Sequence, residues 1–470
     1  MRPFLVAGEW RTGAASLPVT NPYTGETIDD VAVPQWSDVD DALSAAVRAF
    51  ERTRTQSAGQ RARMLARAAV AITSRRAELT EIIVREGGKP WKFASAEVDR
   101  AVSTMTFSAE EAKRLDGELV RLDTDLPGRL GIARRFPIGP VLGIAPFNFP
   151  LNLVAHKVGP ALGVGNPIVV KPAPATPLSS LALAEILLEA GVGDALSVLV
   201  ASNVDSERAA RDDRVAMLTF TGSTAVGWHL KSVAPRKRVT LELGGNAAAI
   251  VEPDADLEHA AARIAFGGFY QAGQSCVAVQ RVLVHENVAG RFMDELVAHV
   301  EALRTGDPMD PATDVGPLID ARALERVDAW VGEAIAGGAR VVCGGRRVDP
   351  CYLPTVLIDV RPEMKVSCDE VFGPVVTLQT YSDFDEAISI TNDSPFGLQA
   401  GLFTNDLRKV FRAHREIRVG GLIHNDVSAW RSDQMPYGGV KASGEGREGP
   451  RYAMEEMTEL RLLVLSGLDL

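Results

Sequence analysis

Cysteine is scarce in this sequence: the 470 residues contain four, Cys276, Cys343, Cys351 and Cys368. So few thiols in so long a chain do not make a disulfide framework, and none of their spacings is the CxxC pair of zinc or redox sites. The sequence therefore predicts no metal site. It also favours a reducing compartment, which we expect to be the cytoplasm.

Long apolar runs and an excess of positive charge are missing as well. Nowhere do 18 apolar residues follow one another, and the first ten residues contain no apolar run of signal-peptide length. Lysine and arginine number 50 against 61 aspartates and glutamates, which gives a formal net charge of −11. Nucleic acid and anionic membrane surfaces both call for a basic face, so we expect neither as a partner.

What remains is the composition of an ordinary globular protein, long enough for two or three domains. Apolar residues recur at helical spacing over 57–86 and 94–114. Ser37 precedes another such pattern and has Asp40 three residues later, which is the spacing of a capping box. The first hundred residues are therefore predicted to be mostly helical.

The pattern changes between 117 and 137 to two short strands with a turn at 125–128. From 141 onward, apolar strands alternate with helices, first up to 242 and again from about 247 to 430. Such alternation predicts parallel sheets that are covered by helices and bind ligands at the carboxyl ends of their strands. The apolar strand at 460–465 needs a partner, and we expect it to pair with the hairpin of another subunit.

Three polar side chains stand in motifs that predict chemistry on a carbonyl group. Cys276 ends the segment Gly-Gln-Ser-Cys, Glu242 lies in the apolar run Leu-Glu-Leu-Gly-Gly, and Asn148 is fixed in Pro-Phe-Asn-Phe-Pro. A carboxylate in an apolar run is costly unless it has a partner or a function. A thiol nucleophile, a general base and an amide donor are together what covalent catalysis on a carbonyl requires.

These motifs, in this order, resemble the aldehyde dehydrogenase superfamily, and the resemblance covers nearly the whole chain. The further matching segments are Lys171-Pro172, Phe220-Thr221-Gly222-Ser223, Glu370-Val371-Phe372-Gly373-Pro374 and Pro436-Tyr437-Gly438-Gly439. The style of the motifs is similar to that of relatives that oxidise lactaldehyde, phosphonoacetaldehyde, or glyceraldehyde 3-phosphate without phosphorylating it.

The resemblance implies an α/β fold, with a Rossmann-like cofactor-binding domain, an α/β catalytic domain and a small β element for oligomerisation. We assign the NAD(P)-binding domain to 1–116 and 138–245, and the catalytic domain to 246–435. The oligomerisation hairpin and tail are assigned to 117–137 and 446–470. The expected assembly is a homodimer or a homotetramer.

By the same resemblance, the expected activity is NAD(P)-dependent oxidation of a small, polar or anionic aldehyde to its carboxylic acid. Cys276 attacks the aldehyde as a thiolate, while Asn148 and the backbone N–H of Cys276 stabilise the oxyanion of the thiohemiacetal. After hydride transfer, Glu242 activates the water that hydrolyses the thioester. A CoA-acylating enzyme and a non-catalytic protein with the same fold stay open as alternatives. No catalytic role is assigned to Lys157 or Gln274.

The cofactor is predicted to be NAD or NADP. Gly222, Ser223 and Gly227 lie where a predicted strand is followed by a helix, so free backbone N–H groups and the helix dipole favour a phosphate there. The resemblance adds Phe147, Lys171, Pro174, Glu370 and Phe372 to the cofactor site. Pro174 stands where many NAD-preferring relatives carry Glu, and without that charge a ribose 2′-phosphate is not repelled.

Two arginines are candidates for contact with the substrate. Arg100 lies on a predicted helix, and Arg431 lies in a polar loop five residues before Pro436. If both face the pocket, the aldehyde carries a carboxylate, sulfonate or phosphoryl group, since guanidinium groups bind such oxygens in two-point contacts. The alternative is that both are solvated surface residues. Ser275 stands where some phosphate-handling relatives have Arg, which argues against a phosphorylated substrate.

Overall fold

The computed structural model describes residues 1–124 and 128–467 of the chain. Its helices up to the middle of the chain are α1 (Trp36–Thr53), α2 (Ala58–Ser74), α3 (Arg76–Gly87), α4 (Trp91–Arg114), α5 (Asn152–Val164), α6 (Leu178–Glu189), α7 (Asn203–Arg211) and α8 (Thr224–Val233). The later helices are α9 (Leu257–Phe269), α10 (Ala289–Glu301), α11 (Ala321–Ala336), α12 (Lys365–Cys368), α13 (Phe384–Asn392), α14 (Leu407–Glu416) and α15 (Pro450–Glu456). No helix in these two ranges is long and apolar enough to cross a membrane.

The strands are numbered in the same way. The first half of the chain contains β1 (Phe4–Val6), β2 (Glu9–Arg11), β3 (Ala15–Thr20), β4 (Thr27–Val33), β5 (Glu118–Arg121), β6 (Arg129–Pro137), β7 (Val141–Ile144), β8 (Ile168–Lys171), β9 (Leu196–Val198), β10 (Met217–Thr221) and β11 (Arg238–Glu242). The second half contains β12 (Ala247–Val251), β13 (Val279–His285), β14 (Arg340–Cys343), β15 (Arg347–Val348), β16 (Cys351–Tyr352), β17 (Thr355–Ile358), β18 (Val375–Tyr381), β19 (Gln399–Phe403), β20 (Gly421–His424), β21 (Gly444–Glu445) and β22 (Thr458–Ser466).

Two large sheets account for most of these strands and confirm the predicted α/β class. One has the order β2-β1-β9-β8-β7-β10-β11-β21, and its five central strands are parallel to one another, namely β9, β8, β7, β10 and β11. The other has the order β14-β17-β18-β13-β12-β19-β20 and is parallel apart from β14. Strands β7, β8 and β10 are buried at every position, as expected for apolar strands covered on both faces.

The tail strand corrects one expectation. β22 pairs antiparallel with β6 of the same chain, from Thr458 opposite Pro137 to Ser466 opposite Arg129, so it finds a partner without a second subunit. Together with β5 it forms a three-stranded sheet, order β22-β6-β5. Most of the turn expected at 125–128 lies outside the described residues. The division into domains at the boundaries given above stays a prediction.

Helix α5 runs directly behind the parallel sheet and is buried at all of its 13 positions. A helix that is apolar on every side belongs in a core, so polar side chains on it must find partners there. Asn152, His156 and Lys157 are three such side chains, each at most 1% exposed. Several of their partners, namely Arg431, Asp433 and Glu448, come from the far end of the chain and lie beside the candidate site.

Candidate active site

Four neighbouring strands of the eight-stranded sheet end at one cavity of about 610 Å³. Lys171 and Glu242 are the last residues of β8 and β11, while Asn148 and Gly222 follow β7 and β10. Cys276 reaches the same cavity from the segment before β13. The candidate residues that line it are Phe147, Asn148, Lys171, Pro174, Gly222, Ser223, Glu242, Cys276, Glu370 and Phe372. Residues far apart in sequence therefore meet at the carboxyl ends of parallel strands, as predicted.

The thiol of Cys276 has one hydrogen-bond partner in the described part of the chain, the hydroxyl of Tyr437, with 3.0 Å between Sγ and Oη. Burial raises the pKa of the thiol to about 12, although the Tyr437 hydroxyl and the charge of Arg431 act in the opposite direction. The free thiol is therefore protonated at neutral pH, and its ionisation depends on the groups around it.

The segment before the thiol has an unusual backbone. Gln271 and Ala272 have φ of 54° and 55°, values that non-glycine residues rarely adopt, and Gly273 follows with φ of 69°. A Cβ at Gly273 would lie 2.1 Å from the carbonyl oxygen of Gly373. The turn thus packs tightly against the segment of Glu370 and Phe372, and such strained turns are frequent at functional sites.

Asn148 lies against this turn. Its side-chain Nδ2 donates a hydrogen bond to the carbonyl of Gln274 at 3.0 Å, and the Gln271 side chain donates to the Asn148 carbonyl. Gln274 also fixes the loop beyond, because its Oε1 accepts a hydrogen bond from the backbone N–H of Ile319 at 2.9 Å. The Asn148 amide donor is therefore held next to Cys276 by residues of the nucleophile's own segment.

Glu242 is 3% exposed, and neither of its carboxylate oxygens has a hydrogen-bond partner among the described residues. Burial, followed by the charge of Glu448, raises the pKa of Glu242 well above its usual value. A Cβ at Gly438 would lie 2.8 Å from Glu242 Oε1. The glycine therefore leaves room for the Glu242 carboxylate. An unpaired carboxyl of raised pKa on a cavity wall is suited to accept a proton near neutral pH.

A buried polar cluster next to Glu242 was not predicted. Lys157 Nζ donates to Thr221 at 2.6 Å and to Glu448 at 3.3 Å, and Arg431 Nη2 donates to Glu448 Oε2 at 3.1 Å. Burial opposes the ionisation of Glu448, but the charges of Lys157 and Arg431 lower its pKa to about 2. The sequence signal for Lys157 is its place in the otherwise apolar helix α5, whereas nothing in the sequence marks Glu448.

Arg100 and Arg431 do not line the cavity of about 610 Å³, and their predicted contact with the substrate stays a prediction. Both belong to the buried cluster. Arg100 Nη2 is 2.9 Å from Asp433 Oδ1, that oxygen is 3.0 Å from His156 Nε2, and His156 Nε2 is 3.3 Å from Arg431 Nη2. The Arg431 side chain is 7% exposed, so the reading as a solvated surface arginine is wrong for it. Arg100, at 27%, is partly exposed.

The other half of the cavity carries the candidate cofactor residues. Glu370 accepts a hydrogen bond from the backbone N–H of Gly245 at 2.9 Å, and burial raises its pKa to about 7. Phe372, with φ of 48°, packs edge-to-face against Phe147 with ring centroids 5.8 Å apart. Lys171 Nζ has a long contact of 3.4 Å to Asn203, and burial lowers its pKa.

Gly227 lies in the first turns of α8, where a Cβ would meet the Leu243 side chain at 2.3 Å. It permits close packing of α8 and does not line the cavity. Several cavity residues were missed by the motifs, namely Asn203, Ser206, Glu207, His229 and Arg326. They come from α7, α8 and α11, and helix residues that face a ligand have no signal of their own in a single sequence.

Comparison with known proteins agrees with this geometry. The sequence model of the aldehyde dehydrogenase family matches residues 10–463. The 3-sulfolactaldehyde dehydrogenase of Priestia megaterium is 47% identical over 466 residues, which cover 98% of this chain and 97% of that protein. The crystal structure of aldehyde dehydrogenase 21 from Physcomitrella patens, in complex with the reaction product succinate, superposes with a TM-score of 0.97. It is 42% identical and covers 100% of this chain and 98% of its own.

An NADP dependent enzyme of E. coli, also known from a crystal structure, has a TM-score of 0.96 at 35% identity, with 99% of this chain and 98% of that one covered. The chain belongs to the aldehyde dehydrogenase family. It is an oxidoreductase that acts on the aldehyde group with NAD or NADP as cofactor.

Proposed function

We propose that Cys276 is the nucleophile, Glu242 the general base and Asn148 the oxyanion donor in the oxidation of an anionic aldehyde to its acid. The observation that carries the roles is the meeting of these three side chains on one cavity with the candidate cofactor residues. The thiol, the unpaired carboxyl and the amide occupy three different segments, so their common position is set by the fold.

Cys276 attacks the aldehyde carbon and forms a thiohemiacetal, with its proton leaving for a base in the cavity. The developing oxyanion accepts hydrogen bonds from Asn148 Nδ2 and from the backbone N–H of Cys276, which has no acceptor among the described residues. A bound nicotinamide cofactor would supply the hydride acceptor, and the thiohemiacetal on Cys276 would thereby be oxidised to a thioester. Glu242 then takes a proton from the water that releases the carboxylic acid and restores the thiol.

The residues fit a nicotinamide dinucleotide. Ser223 is the N-cap residue of α8 and makes no side-chain hydrogen bond to this ten-residue helix, so its first backbone N–H groups are free to favour a phosphate. Lys171, with only a long contact to Asn203, has donors left for a ribose hydroxyl. Glu370 and Phe372 line the same cavity as Cys276 and would hold the nicotinamide end of the cofactor.

Separate roles for thiol and carboxyl give separate kinetic outcomes. Cys276→Ala abolishes oxidation and leaves cofactor affinity almost unchanged. Glu242→Gln still gives a burst of reduced cofactor but slow turnover, since thioester formation precedes the step that it blocks. Stopped-flow absorbance of the reduced cofactor and a binding titration measure both. An active Cys276→Ala enzyme overturns the proposal. Rapid hydrolysis of the thioester in the Glu242→Gln variant would mean that another residue is the general base.

An anionic substrate is favoured by the charge of the buried cluster. Arg100, Lys157 and Arg431 are cationic, and Asp433 and Glu448 are the two carboxylates whose pKa is lowered. The cluster therefore contains three cations and two anions, an excess of one positive charge beside Glu242, whose carboxylate has no hydrogen-bond partner among the described residues. An anionic group on the aldehyde compensates that charge, and guanidinium groups match sulfonate or carboxylate oxygens. The similar proteins named above act on sulfolactaldehyde or yield succinate, both anionic.

A pair of substrates that differ by one anionic group tests this proposal. Sulfolactaldehyde and lactaldehyde share a skeleton and differ by the sulfonate, so we expect kcat/KM to favour the former at least tenfold. Arg100→Leu or Arg431→Leu raises KM for sulfolactaldehyde by about tenfold, the loss of one charge-assisted contact, and barely alters KM for lactaldehyde. Arg431→Lys keeps a positive charge beside Glu448. It therefore distinguishes the loss of a guanidinium contact with the substrate from damage to the buried cluster.

The matched control is Arg76→Leu, which removes an arginine from an exposed ion pair with Asp99. It leaves both KM values unchanged. Equal effects of the cluster variants on the two aldehydes, or a wild type that prefers lactaldehyde, contradict the anionic assignment while leaving the roles of Cys276 and Glu242 intact.

We further propose a cytoplasmic homodimer or homotetramer. All four cysteines are free, and a thiol nucleophile works only where it stays reduced. The exposed apolar side chains of β22 favour an assembly of subunits.

A further inference from the structure

Tyr437 has no role in the chemistry described so far, yet its hydroxyl is the group nearest to the nucleophile. Its Oη is 3.0 Å from Cys276 Sγ, although 161 residues separate the two in sequence. The side chain is 3% exposed, so water does not compete for this contact. A buried hydroxyl makes a hydrogen bond wherever one is available, and for Tyr437 the bond goes to the sulfur.

Two further contacts hold this ring in place. The backbone N–H of Tyr437 donates to the carbonyl of Glu448 at 3.1 Å, and that residue's N–H donates back. The guanidinium of Arg431 lies over the ring face, 3.7 Å from its centroid. A cation over the face withdraws electron density from the phenol and makes its O–H a stronger donor. The ring therefore has a fixed position and a polarised hydroxyl that points at the sulfur.

We propose that Tyr437 is a catalytic residue, whose hydroxyl donates a hydrogen bond to Cys276 Sγ and stabilises the thiolate that attacks the aldehyde. The inference rests on the proposed role of Cys276 as nucleophile. The thiol proton leaves for a base in the cavity, the phenol keeps its own proton throughout, and the hydrogen bond weakens when the sulfur lone pair forms the S–C bond.

The direction of donation follows from the chemistry of the ionised sulfur. A thiolate has no proton to donate, so the phenol O–H is the donor once Cys276 is ionised. Burial, and then the charge of Cys276, raise the pKa of Tyr437 well above its usual value, which favours the protonated phenol. The charged groups around the sulfur are Glu242 and Glu370, which disfavour the thiolate, and Arg431, which favours it. Of the uncharged groups, the Tyr437 hydroxyl is the one that contacts the sulfur directly.

The decisive variant is Tyr437→Phe, which removes one oxygen and keeps the ring beneath Arg431. Iodoacetamide alkylation of Cys276 is followed across pH by mass spectrometry of the peptide that contains it, so that the other three cysteines do not interfere. The expected result is an upward shift of the alkylation midpoint by about one to two pH units, the contribution of one hydrogen bond to a charged group. In turnover, kcat falls by about tenfold or more and the cofactor Kd stays the same.

Tyr270→Phe is the matched control within the same pocket. The Tyr270 hydroxyl donates to Ser275 Oγ at 2.5 Å, one residue from the nucleophile, and not to the sulfur. Tyr270→Phe tests whether the loss of any tyrosine hydroxyl near Cys276 shifts the alkylation midpoint. We expect a shift several times smaller than that of Tyr437→Phe. Thermal unfolding of both variants identifies a loss of folding, which would move both midpoints together.

An alkylation midpoint in Tyr437→Phe equal to that of the wild type overturns the inference. So do equal shifts in the two tyrosine variants, because they assign the effect to packing. The proposed function fails separately: if Cys276→Ala retains oxidation, the nucleophile lies elsewhere whatever Tyr437 does. If Cys276→Ala is inactive and Tyr437→Phe behaves as the wild type, the role of Tyr437 alone is withdrawn.

Discussion

The amide of Asn148 contacts the turn that carries Cys276, and Asn148→Ala removes that donor. We expect kcat to fall by about 10²- to 10³-fold, the usual loss for one oxyanion donor. Cofactor affinity should change little, because the contact is with the carbonyl of Gln274 and not with the cofactor side of the cavity. Steady-state kinetics and a cofactor titration provide the two numbers. A fall of less than threefold would mean that the amide only positions the Gln274 loop.

Pro174 lines the cavity together with Lys171 and Asn203 and offers neither an acceptor nor a charge. The wild type is therefore expected to use NADP at a substantial rate. Pro174→Glu places a carboxylate near the ribose, which repels a 2′-phosphate and accepts hydrogen bonds from ribose hydroxyls. The ratio of kcat/KM for NAD to that for NADP should rise by tenfold or more.

Pro174→Gln is the control for this change, since it adds an acceptor of similar size without the charge. We expect it to improve NAD modestly and to leave NADP almost unaffected. If Pro174→Glu does not move the ratio, the residue does not lie beside the ribose.

Motifs identified the candidate residues because each reaction role needs a particular side chain in a particular backbone setting. Ten of the candidate residues line one cavity. The sequence could not locate the contact of Tyr437 with Cys276, or the cluster of Arg431 and Glu448, because these depend on the return of the tail to the sheet. A contact across 161 residues is set by the packing of whole elements, and no local pattern encodes it.

An ion pair buried behind the Asn148 loop joins α4 to the start of α5. Glu97 Oε1 accepts the backbone N–H groups of Leu151 and Asn152 at 3.0 and 3.1 Å, and Oε2 pairs with Lys89. The Lys89 ammonium also lies 3.8 Å from the centroid of the Phe149 ring. The residue directly after Asn148 and the first turn of α5 are therefore fixed by one buried pair.

Glu97→Gln keeps an acceptor for the two N–H groups and removes the charge that compensates Lys89. Removing one partner of a buried pair costs about 3 to 5 kcal/mol of unfolding free energy. We expect a lower Tm and faster hydrogen exchange at 149–155. The double variant with Lys89→Met should recover part of the loss, because no uncompensated charge stays buried.

Glu455→Gln is the control, since Glu455 pairs with Arg451 on the exposed face of α15. Its expected effect is below about 1 kcal/mol. A Glu97→Gln protein with the Tm and exchange rates of the wild type would show that the pair carries no stability.

Local patterns predicted the elements best where apolar spacing and boundary residues agree. The helical spacing over 94–114 corresponds to helix α4, which spans Trp91–Arg114. Helix α1 begins at Trp36, two residues earlier than the capping box at Ser37 and Asp40 implied. Its box is formed by Gln35 and Asp38, because Asp38 accepts the backbone N–H of Gln35 at 2.9 Å. Glutamine is not among the preferred N-cap residues, so the sequence did not indicate a cap at Gln35.

At the scale of the whole molecule, the outer edge of the sheet β22-β6-β5 is uncovered among the described residues. β22 pairs with β6 on one side only, and its other edge is unpaired within the described residues. Its side chains Leu460, Leu462, Leu463 and Val464 are 45–56% exposed. A long apolar edge strand associates with another chain unless charge, proline or a covering element prevents it. The edge is therefore expected to be covered in the assembly.

Leu462→Glu tests this expectation, because a charge in the middle of β22 must be desolvated when the edge is covered. We expect light scattering after gel filtration to show a smaller mass than that of the wild type, a difference that increases on dilution. Val70→Glu, at a 70% exposed position of α2, places the same charge on another surface and should leave the mass unchanged. The cavity is built from residues of one chain, so the smaller species should still bind cofactor. An unchanged mass for Leu462→Glu would mean that subunits meet through another surface, or not at all.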